Sequence, residues 1–360
     1  MQNRFKTLVI KVGTNVLTRE DGLLDLTTIS HLVDQIAALK QTGTRVILVS
    51  SGAVGAGRSL VQVPATWSKI TQRQVLSAVG QVKLLNTYLQ FFANYQMFCA
   101  QVLATKEDFR GRQHYLNMRE CFQALLQDNI IPIVNENDVI SVSELMFTDN
   151  DELAGLVAAM LNADGLIILS NIDGVYDGPP ANPASKVIPQ IDCDDKKILE
   201  VIAPSKSSFG RGGMQTKLRI AQKAAKVGID TFIANGKRQN TLLAINNNDY
   251  IGTIFPAKTQ VSNVKKWIAY NDLQRKGEVK INAGAERALC TAEKITSLLP
   301  IGITATTGEF KKGDLIKVIN ENGEQIGVGI AQYGAEKARE YLGQNGKKAL
   351  IHYDYLFIEK

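Results

Sequence analysis

The chain of 360 residues lacks the features of a membrane or secreted protein. It contains no run of about eighteen apolar residues, which a membrane-spanning helix would need. Residues 1–25 are charged and have the pattern of a strand and a loop instead of a signal peptide. With 45% hydrophobic and 21% charged residues, the composition is that of a globular protein with room for two cores. We therefore expect a cytoplasmic protein.

Cysteine and histidine are scarce. The four cysteines form no C-x-x-C pair and are Cys99, Cys121, Cys193 and Cys290. This spacing predicts neither disulfides nor a zinc site and favours buried free thiols. The three histidines, none of which falls in a motif, are His31, His114 and His352. The sequence therefore offers no histidine as a general base.

Two signatures of common ligands are also missing. The glycines of residues 51–57 follow the spacing G-x-x-G-x-G, and no acidic residue stands about twenty positions later, so a nicotinamide fingerprint is excluded. The net charge of +6 is shared between the first 260 and the last 100 residues, without a concentrated basic stripe. We expect no nucleic-acid partner, unless folding assembles a basic surface.

Residues 210–217 are the most informative segment that is present. They read GRGGMQTK and run directly into an amphipathic helix. Glycines let backbone N–H groups approach an anion, the helix start adds the positive end of its dipole, and Lys217 adds a full charge. The segment therefore predicts a phosphate site. A glycine-rich surface loop stays open as the alternative, because the spacing is not that of the common phosphate loop.

Two strand candidates upstream, residues 5–12 and 45–50, also end in glycine turns. The carboxyl ends of parallel strands share one edge of a sheet, where ligands gather. Lys11 stands at the end of the first strand. An ionised lysine buried there needs an anion or a carboxylate nearby, whereas a lysine at the rim of the sheet would reach solvent.

Acidic and amide residues follow the strand candidate 130–134, first at 135–138 and again at 148–152, where a helix begins. Turns and a helix cap would explain such residues too. Their repetition, together with two lysines and two glycine turns, favours a pocket for a polar ligand. A further strand candidate, residues 164–169, ends in a turn that begins with Ser170 and Asn171.

Strand and helix signals alternate up to Phe255, which predicts an α/β protein with a three-layer sandwich around a mainly parallel sheet. Beyond Gly277 the pattern changes to short strands and turns, including a hairpin signal at residues 321–324. We expect a boundary near Trp267 to Gly277, with domains of residues 1–260 and 276–360. Residues 176–208 are poorly periodic and predict a long functional loop on the nucleotide side.

In their order and spacing, six motifs resemble the amino-acid kinase superfamily and, within it, the glutamate kinase family. The motifs are residues 11–14, 51–53, 79–81, 135–138, 149–151 and 212–217. In the C-terminal part, residues 310–314 and 327–333 resemble the PUA domain, a small β-barrel. The resemblance implies the amino-acid kinase fold followed by that barrel. It also implies transfer of a phosphoryl group from ATP to the side-chain carboxylate of L-glutamate, the first step of proline synthesis.

The resemblance also implies roles for individual residues. Three residues would be catalytic. Lys217 would contact the transferring phosphoryl group, Lys11 would contact the phosphates near the bridging oxygen, and Asp151 would hold both lysines in place. The glutamate would lie against Ser51, Gly52, Asn135, Asp138, Asp149 and Asn150, with Asp138 pairing with its ammonium group. The nucleotide would contact Lys11, Gly13, Ser170, Asn171, Arg211, Gly212, Gly213, Met214, Gln215, Thr216 and Lys217. Asn171 departs from the usual aspartate of the family, and Arg211 departs from the usual small hydroxyl residue.

A glutamate side chain has a pKa near ~4.3, so the nucleophile is already ionised at neutral pH and needs no general base. Mg²⁺ would bind through the nucleotide phosphates, without a dedicated protein ligand.

Further partners implied by the resemblance are proline as a feedback inhibitor, a second copy of the chain and a glutamyl phosphate reductase. Two other classes stay open, namely a catalytically inactive regulator, which would have lost Lys11, Lys217 or Asp151, and an RNA-binding protein using the last hundred residues.

Overall fold

A computed structural model describes residues 4–110, 112–141, 147, 149–195, 198, 213–258, 262–270, 275–290 and 296–358. The chain divides into two compact units, Met1–Gln260 and Val261–Lys360. Within the described ranges, no helix combines the length and the apolar character that crossing a membrane requires.

The first unit contains a seven-stranded sheet. Its strands are β1 (Thr7–Val12), β2 (Arg45–Ser50), β3 (Cys99–Ala104), β4 (Ile131–Glu136), β5 (Gly165–Ser170), β6 (Asp230–Asn235) and β7 (Gly252–Phe255). They lie in the order β3-β4-β2-β1-β5-β6-β7, and every neighbouring pair is parallel except β6 and β7. The prediction of a mainly parallel sheet is confirmed.

Helices cover both faces of this sheet. They are α1 (Thr14–Leu17), α2 (Leu26–Gln41), α3 (Ala53–Arg58), α4 (Lys69–Ala93), α5 (Lys106–Arg110), α6 (Arg112–Gln127), α7 (Asn150–Leu161), α8 (Met214–Lys226) and α9 (Thr241–Asn246). On one face α2 packs against α4 and α9, and on the other α7 packs against α6 and α8. Because both faces are covered, the central strands β1, β4 and β5 are buried along their whole length and are mostly apolar.

The central strand β1 shows how the sequence sets this arrangement. All six of its residues are buried. Leu8, Ile10 and Val12 belong to the core cluster that includes α2 and α4. Successive side chains of a strand point to opposite faces, so Lys11 points to the α7 face. The one charged side chain of β1 is thus buried beneath a helix instead of reaching solvent.

Helices α3 and α4 approach each other at two glycines, Gly57 and Gly80. A Cβ atom at Gly57 would overlap the carbonyl oxygen of Leu76, and one at Gly80 would overlap that of Ala53. A second constraint stands just before α3, where Gly52 adopts a left-handed conformation with φ of 105°. Glycines therefore set both the path of the chain after β2 and the seating of α4.

The second unit is built on a five-stranded sheet. Its strands are β8 (Arg275–Ile281), β9 (Ile303–Gly308), β10 (Leu315–Ile319), β11 (Gln325–Ala331) and β12 (Ile351–Ile358), and its helices are α10 (Asn263–Tyr270), α11 (Ala283–Cys290) and α12 (Ala335–Glu340). The strand order is β12-β11-β10-β8-β9, with only β8 and β10 parallel. The predicted hairpin joins β10 to β11, with Gly323 at φ of 82°.

Two details differ from the sequence analysis. Helix α10 contains Trp267 and packs against β12 and β11, so it is part of the second unit and the first unit ends before it. Among the thiols, only Cys193 is buried; Cys121 is exposed on α6, and the other two are partly buried. The expectation of buried thiols is therefore wrong for Cys121, because that position faces solvent on an amphipathic helix.

We expect a chain ending at residue 260 to fold by itself, because it keeps the whole first sheet and both of its helix layers. A chain ending at residue 270 is the matched control. It would carry α10 without the strands that bury Trp267 and Ile268. Circular dichroism and thermal unfolding should show one cooperative transition for the shorter chain, and dye binding should show exposed apolar surface only for the longer one. Non-cooperative unfolding of the shorter chain would contradict this.

Candidate active site

The carboxyl ends of β1, β2, β4 and β5 open onto a cleft of about 680 Å³. Most of the site residues expected from the sequence line it. These are Lys11, Gly13, Ser51, Gly52, Asn135, Asp138, Asp149, Asn150, Ser170, Asn171, Gly213, Met214 and Lys217. The order of strands reverses at β1, which has β2 on one side and β5 on the other. The cleft therefore lies at the switch point of the sheet, where α/β proteins bind ligands.

A buried ion cluster lies at the floor of the cleft. Asp151, in the first turn of α7, has no exposed area. Its Oδ1 is 2.6 Å from Lys11 Nζ, and its Oδ2 accepts a 2.9 Å hydrogen bond from Lys217 Nζ. One carboxylate thus holds a lysine from β1 and a lysine from α8, with both ammonium groups at the cleft.

Burial and the mutual attraction of these charges set the pKa values of the cluster. Burial by itself raises the pKa of Asp151, but the charges of Lys11 and Lys217 outweigh burial and hold that pKa well below its usual range. Although burial lowers it, the pKa of Lys217 is raised above its ordinary value by Asp151. Burial is the largest effect on Lys11 and lowers its pKa. Lys217, which is held in its charged form, therefore makes the floor of the cleft a site for an anion.

Asp149 and Asn150 complete the start of α7. Asp149 caps the helix by accepting hydrogen bonds from the backbone N–H groups of Asp151 and Glu152, at 2.9 and 3.2 Å. Burial, followed by the charge of Asp151, raises the pKa of Asp149 to about 7. The amide of Asn150 donates to Ser51 Oγ at 2.8 Å and to Asn135 Oδ1 at 2.9 Å. These amide contacts join the ends of β2, β4 and α7.

Helix α4 contributes a polar stripe at the end of β4. Its members Arg73, Ser77 and Gln81 are four residues apart and therefore share one face. Gln81 Oε1 accepts from Asn135 Nδ2 at 2.8 Å, and Ser77 Oγ donates to Asp138 Oδ2 at 2.9 Å.

Arg73, at the start of the stripe, pairs with two carboxylates. Its Nη2 lies 3.4 Å from Glu136 Oε2 and also contacts Asp138 Oδ1. The backbone N–H of Phe147 donates to Glu136 Oε1 at 2.9 Å. Burial is the largest effect on Glu136 and raises its pKa to about 7. Neither Arg73 nor Glu136 was predicted to be a site residue, although the i, i+4, i+8 spacing of the stripe was a readable signal for the arginine.

The other side of the cleft is formed by the end of β5 and the start of α8. Ser170 and Asn171 line it, as do Gly213 and Met214, whereas Gln215 and Thr216 lie in the first turn of α8 without lining the cleft. Arg211 and Gly212 lie outside the described residues. Pro180, from the predicted loop after β5, also lines the cleft; residues 199–208 of that loop fall outside the description.

A second group of potential ligand atoms lies away from the cleft, at Asp192, Cys193 and Asp194, within 4.8 Å of one another. Both carboxylates of this group form ion pairs with lysines. Asp194 lies 3.1 Å from Lys226 and also contacts Lys258. Asp192 lies 4.0 Å from Lys258. This group is a surface charge network.

The chain matches two family models, the amino acid kinase family over residues 6–235 and the PUA domain over residues 277–352. It is 51% identical to a glutamate 5-kinase of Bacteroides thetaiotaomicron, with both chains fully covered. It is also 49% identical to a glutamate 5-kinase of Chlorobaculum tepidum, with 98% of each chain covered.

Solved structures with the same fold include a carbamate kinase from Giardia lamblia bound to AMP-PNP and a UMP kinase from Bacillus anthracis. The first has a TM-score of 0.52 at 19% identity and covers 71% of this chain and 99% of its own. The second has a TM-score of 0.50 at 13% identity and covers 71% of this chain and 97% of its own. The predicted fold class is confirmed by these matches. The chain therefore belongs to the amino acid kinase family, within its glutamate 5-kinase branch, and carries a PUA domain after the kinase domain.

Proposed function

We propose that the protein transfers the γ-phosphoryl group of ATP directly to the side-chain carboxylate of L-glutamate, giving L-glutamyl 5-phosphate. The observation that carries this proposal is the buried cluster of Lys11, Asp151 and Lys217 at the floor of the cleft. The charged Lys217, with Lys11 beside it, suits a phosphate group. The full-length similarity to glutamate 5-kinases supports glutamate as the acceptor.

The chemistry requires positioning and charge stabilisation more than proton transfer. The acceptor carboxylate is ionised at neutral pH, and no histidine is among the residues that line the cleft. The remaining task is to bring two anions together and to stabilise the charge on the transferring group. Lys217 would contact that group, Lys11 would contact the phosphates near the bridging oxygen, and Asp151 would keep both ammonium groups in place.

The acceptor and the nucleotide would approach from opposite sides of this cluster. The glutamate would lie against Ser51, Gly52, Asn135, Asp138, Asp149 and Asn150, and the nucleotide along the β5 end and the start of α8. The N–H groups of Gly13 and Gly52 would face the phosphates. Mg²⁺, which neutralises phosphate charge in such reactions, would be held chiefly by phosphate oxygens, because lysines engage both oxygens of Asp151.

Several finer points stay predictions. They are feedback inhibition by proline, assembly into a homo-oligomer, a glutamyl phosphate reductase as partner, and a cytoplasmic location.

An inactive regulator is disfavoured because the two lysines and Asp151 contact one another as a reactive site requires. Purification with nuclease and an absorbance ratio at 260 and 280 nm would test the RNA-binding alternative.

The direct test is formation of a hydroxamate from ATP, hydroxylamine and L-glutamate, since hydroxylamine traps an acyl phosphate. L-aspartate should react at least about 100-fold more slowly, because its carboxylate is one methylene short and misplacement by about 1 Å costs that much. Hydroxamate formation at an equal rate from L-aspartate or N-acetylglutamate, or ADP release at an equal rate with uridylate, would overturn the proposal.

Replacing Lys217 should affect the chemical step. In Lys217→Met, Asp151 keeps Lys11 as a partner, so the fold should persist, and kcat should fall by about 10²-fold or more while KM changes little. Arg219→Met is the matched control, since Arg219 is exposed on the same helix. If Lys217→Met retains near-normal kcat, the start of α8 has a structural role only.

Proline inhibition should involve the glutamate pocket, because proline, like glutamate, carries a positively charged α-nitrogen next to an α-carboxylate. Saturating glutamate should then weaken proline binding, and proline should weaken glutamate binding by the same factor. Calorimetric titration with L-proline, with and without glutamate, measures this, and D-proline serves as the control ligand. An unchanged affinity for L-proline would show that the two sites do not overlap.

A further inference from the structure

Arg73 lies at the β4 side of the cleft, and none of the steps proposed above uses it. Its side chain is 26% exposed and lines the cleft. The carboxylates that it contacts are more deeply buried, with 2% of Glu136 and 8% of Asp138 exposed. An arginine that lines a ligand cleft while resting on two buried carboxylates is held in place for contact with a ligand.

The distance between the two ends of the cleft suits an extended amino acid. Lys11 is at the end of β1 and Glu136 is at the end of β4, with β2 between these strands. Neighbouring strands are about 4.8 Å apart, so the two ends are separated by roughly 10 Å. The transferring phosphoryl group would lie between the lysines and the γ-carboxylate of glutamate. The α-ammonium and α-carboxylate of the same glutamate would then lie at the end of β4.

The groups at that end are complementary to an amino-acid head group. The α-ammonium needs an anion and the α-carboxylate needs a cation, and Asp138 and Arg73 lie in contact there. Both contacts of Arg73 with these carboxylates use Nη2. A guanidinium also carries N–H donors on Nη1 and Nε, which suit a bidentate pair with a further carboxylate.

We propose that Arg73 binds the α-carboxylate of the substrate and fixes Asp138 for the α-ammonium, so that this pair reads the amino-acid head group. The inference rests on the proposed function, since it identifies how that site would recognise its acceptor. Ser77 supports the arrangement by donating to the second oxygen of Asp138. Burial raises the pKa of Glu136 to about 7, which reduces the negative charge beside Arg73 near neutral pH.

The test compares L-glutamate with L-isoglutamine, whose α-carboxylate is replaced by an uncharged amide of similar size. In the unaltered enzyme, loss of a charge-assisted hydrogen-bonded pair should lower kcat/KM for isoglutamine by about 10- to 100-fold. Arg73→Gln should lower kcat/KM for glutamate by at least that factor, mainly through KM, and should lower it much less for isoglutamine, for which only the positioning of Asp138 is lost. The preference for glutamate would then disappear.

Two further variants make the result specific. Arg73→Lys keeps the charge but loses the planar fork, so it should retain part of the preference, and it shows whether the site tolerates substitution. Lys69→Gln removes an exposed positive charge from the same helix and should change neither substrate's kinetics. Circular dichroism checks that each variant is folded.

The outcomes separate this inference from the proposed function. An unaltered enzyme that forms no hydroxamate from glutamate would refute the function itself. An active enzyme that accepts isoglutamine as well as glutamate would refute the role of Arg73 alone. A folded Arg73→Gln variant that keeps the full preference for glutamate over isoglutamine would also refute that role. So would loss of this preference in both Arg73→Lys and Lys69→Gln, because the effect would then not be specific to Arg73.

Discussion

The buried carboxylate of Asp151 is the interaction on which the rest of the site depends. It holds Lys11 and Lys217, two cations that would otherwise repel each other in a poorly hydrated place. Removing one partner of a buried ion pair commonly costs about 3–5 kcal/mol, because a charge is left without compensation. Since the three groups come from β1, α7 and α8, the same contact that orients the ammonium groups also ties these elements together.

The cleft that opens above this cluster has two chemically different ends. The floor presents the amino groups of two lysines around Asp151, while the end of β4 presents carboxylates with Arg73 between them. The amides of Asn135 and Asn150 lie between these ends and link β2, β4 and α7. An acceptor that is anionic at one end and zwitterionic at the other matches this arrangement, because each of its charges then meets a group of opposite sign.

Much of the fold was accessible from local patterns. Strands such as Arg45–Ser50 are short apolar runs that are followed by a glycine turn, and their positions follow from that pattern. Lys11 was recognisable as a charge that needed a nearby carboxylate, and the structure provides Asp151, 140 positions along the chain. Arg73 was missed because it lies within a long helix and meets Asp138 across 65 positions. The start of the second unit was hard to place, since α10 has no local signal that assigns it to β12.

The sequence by itself determined the elements of this protein and the residue types at the strand ends, because periodicity, glycine turns and short motifs are local properties of the chain. Only the tertiary structure decided which charges meet: that Asp151 serves both lysines, that Arg73 pairs with Asp138, and that Asn150 joins β2 to β4. The physical reason is that such contacts arise from the order of strands in the sheet and from the close packing of α3 and α4 at Gly57 and Gly80. No single segment of the chain contains that information.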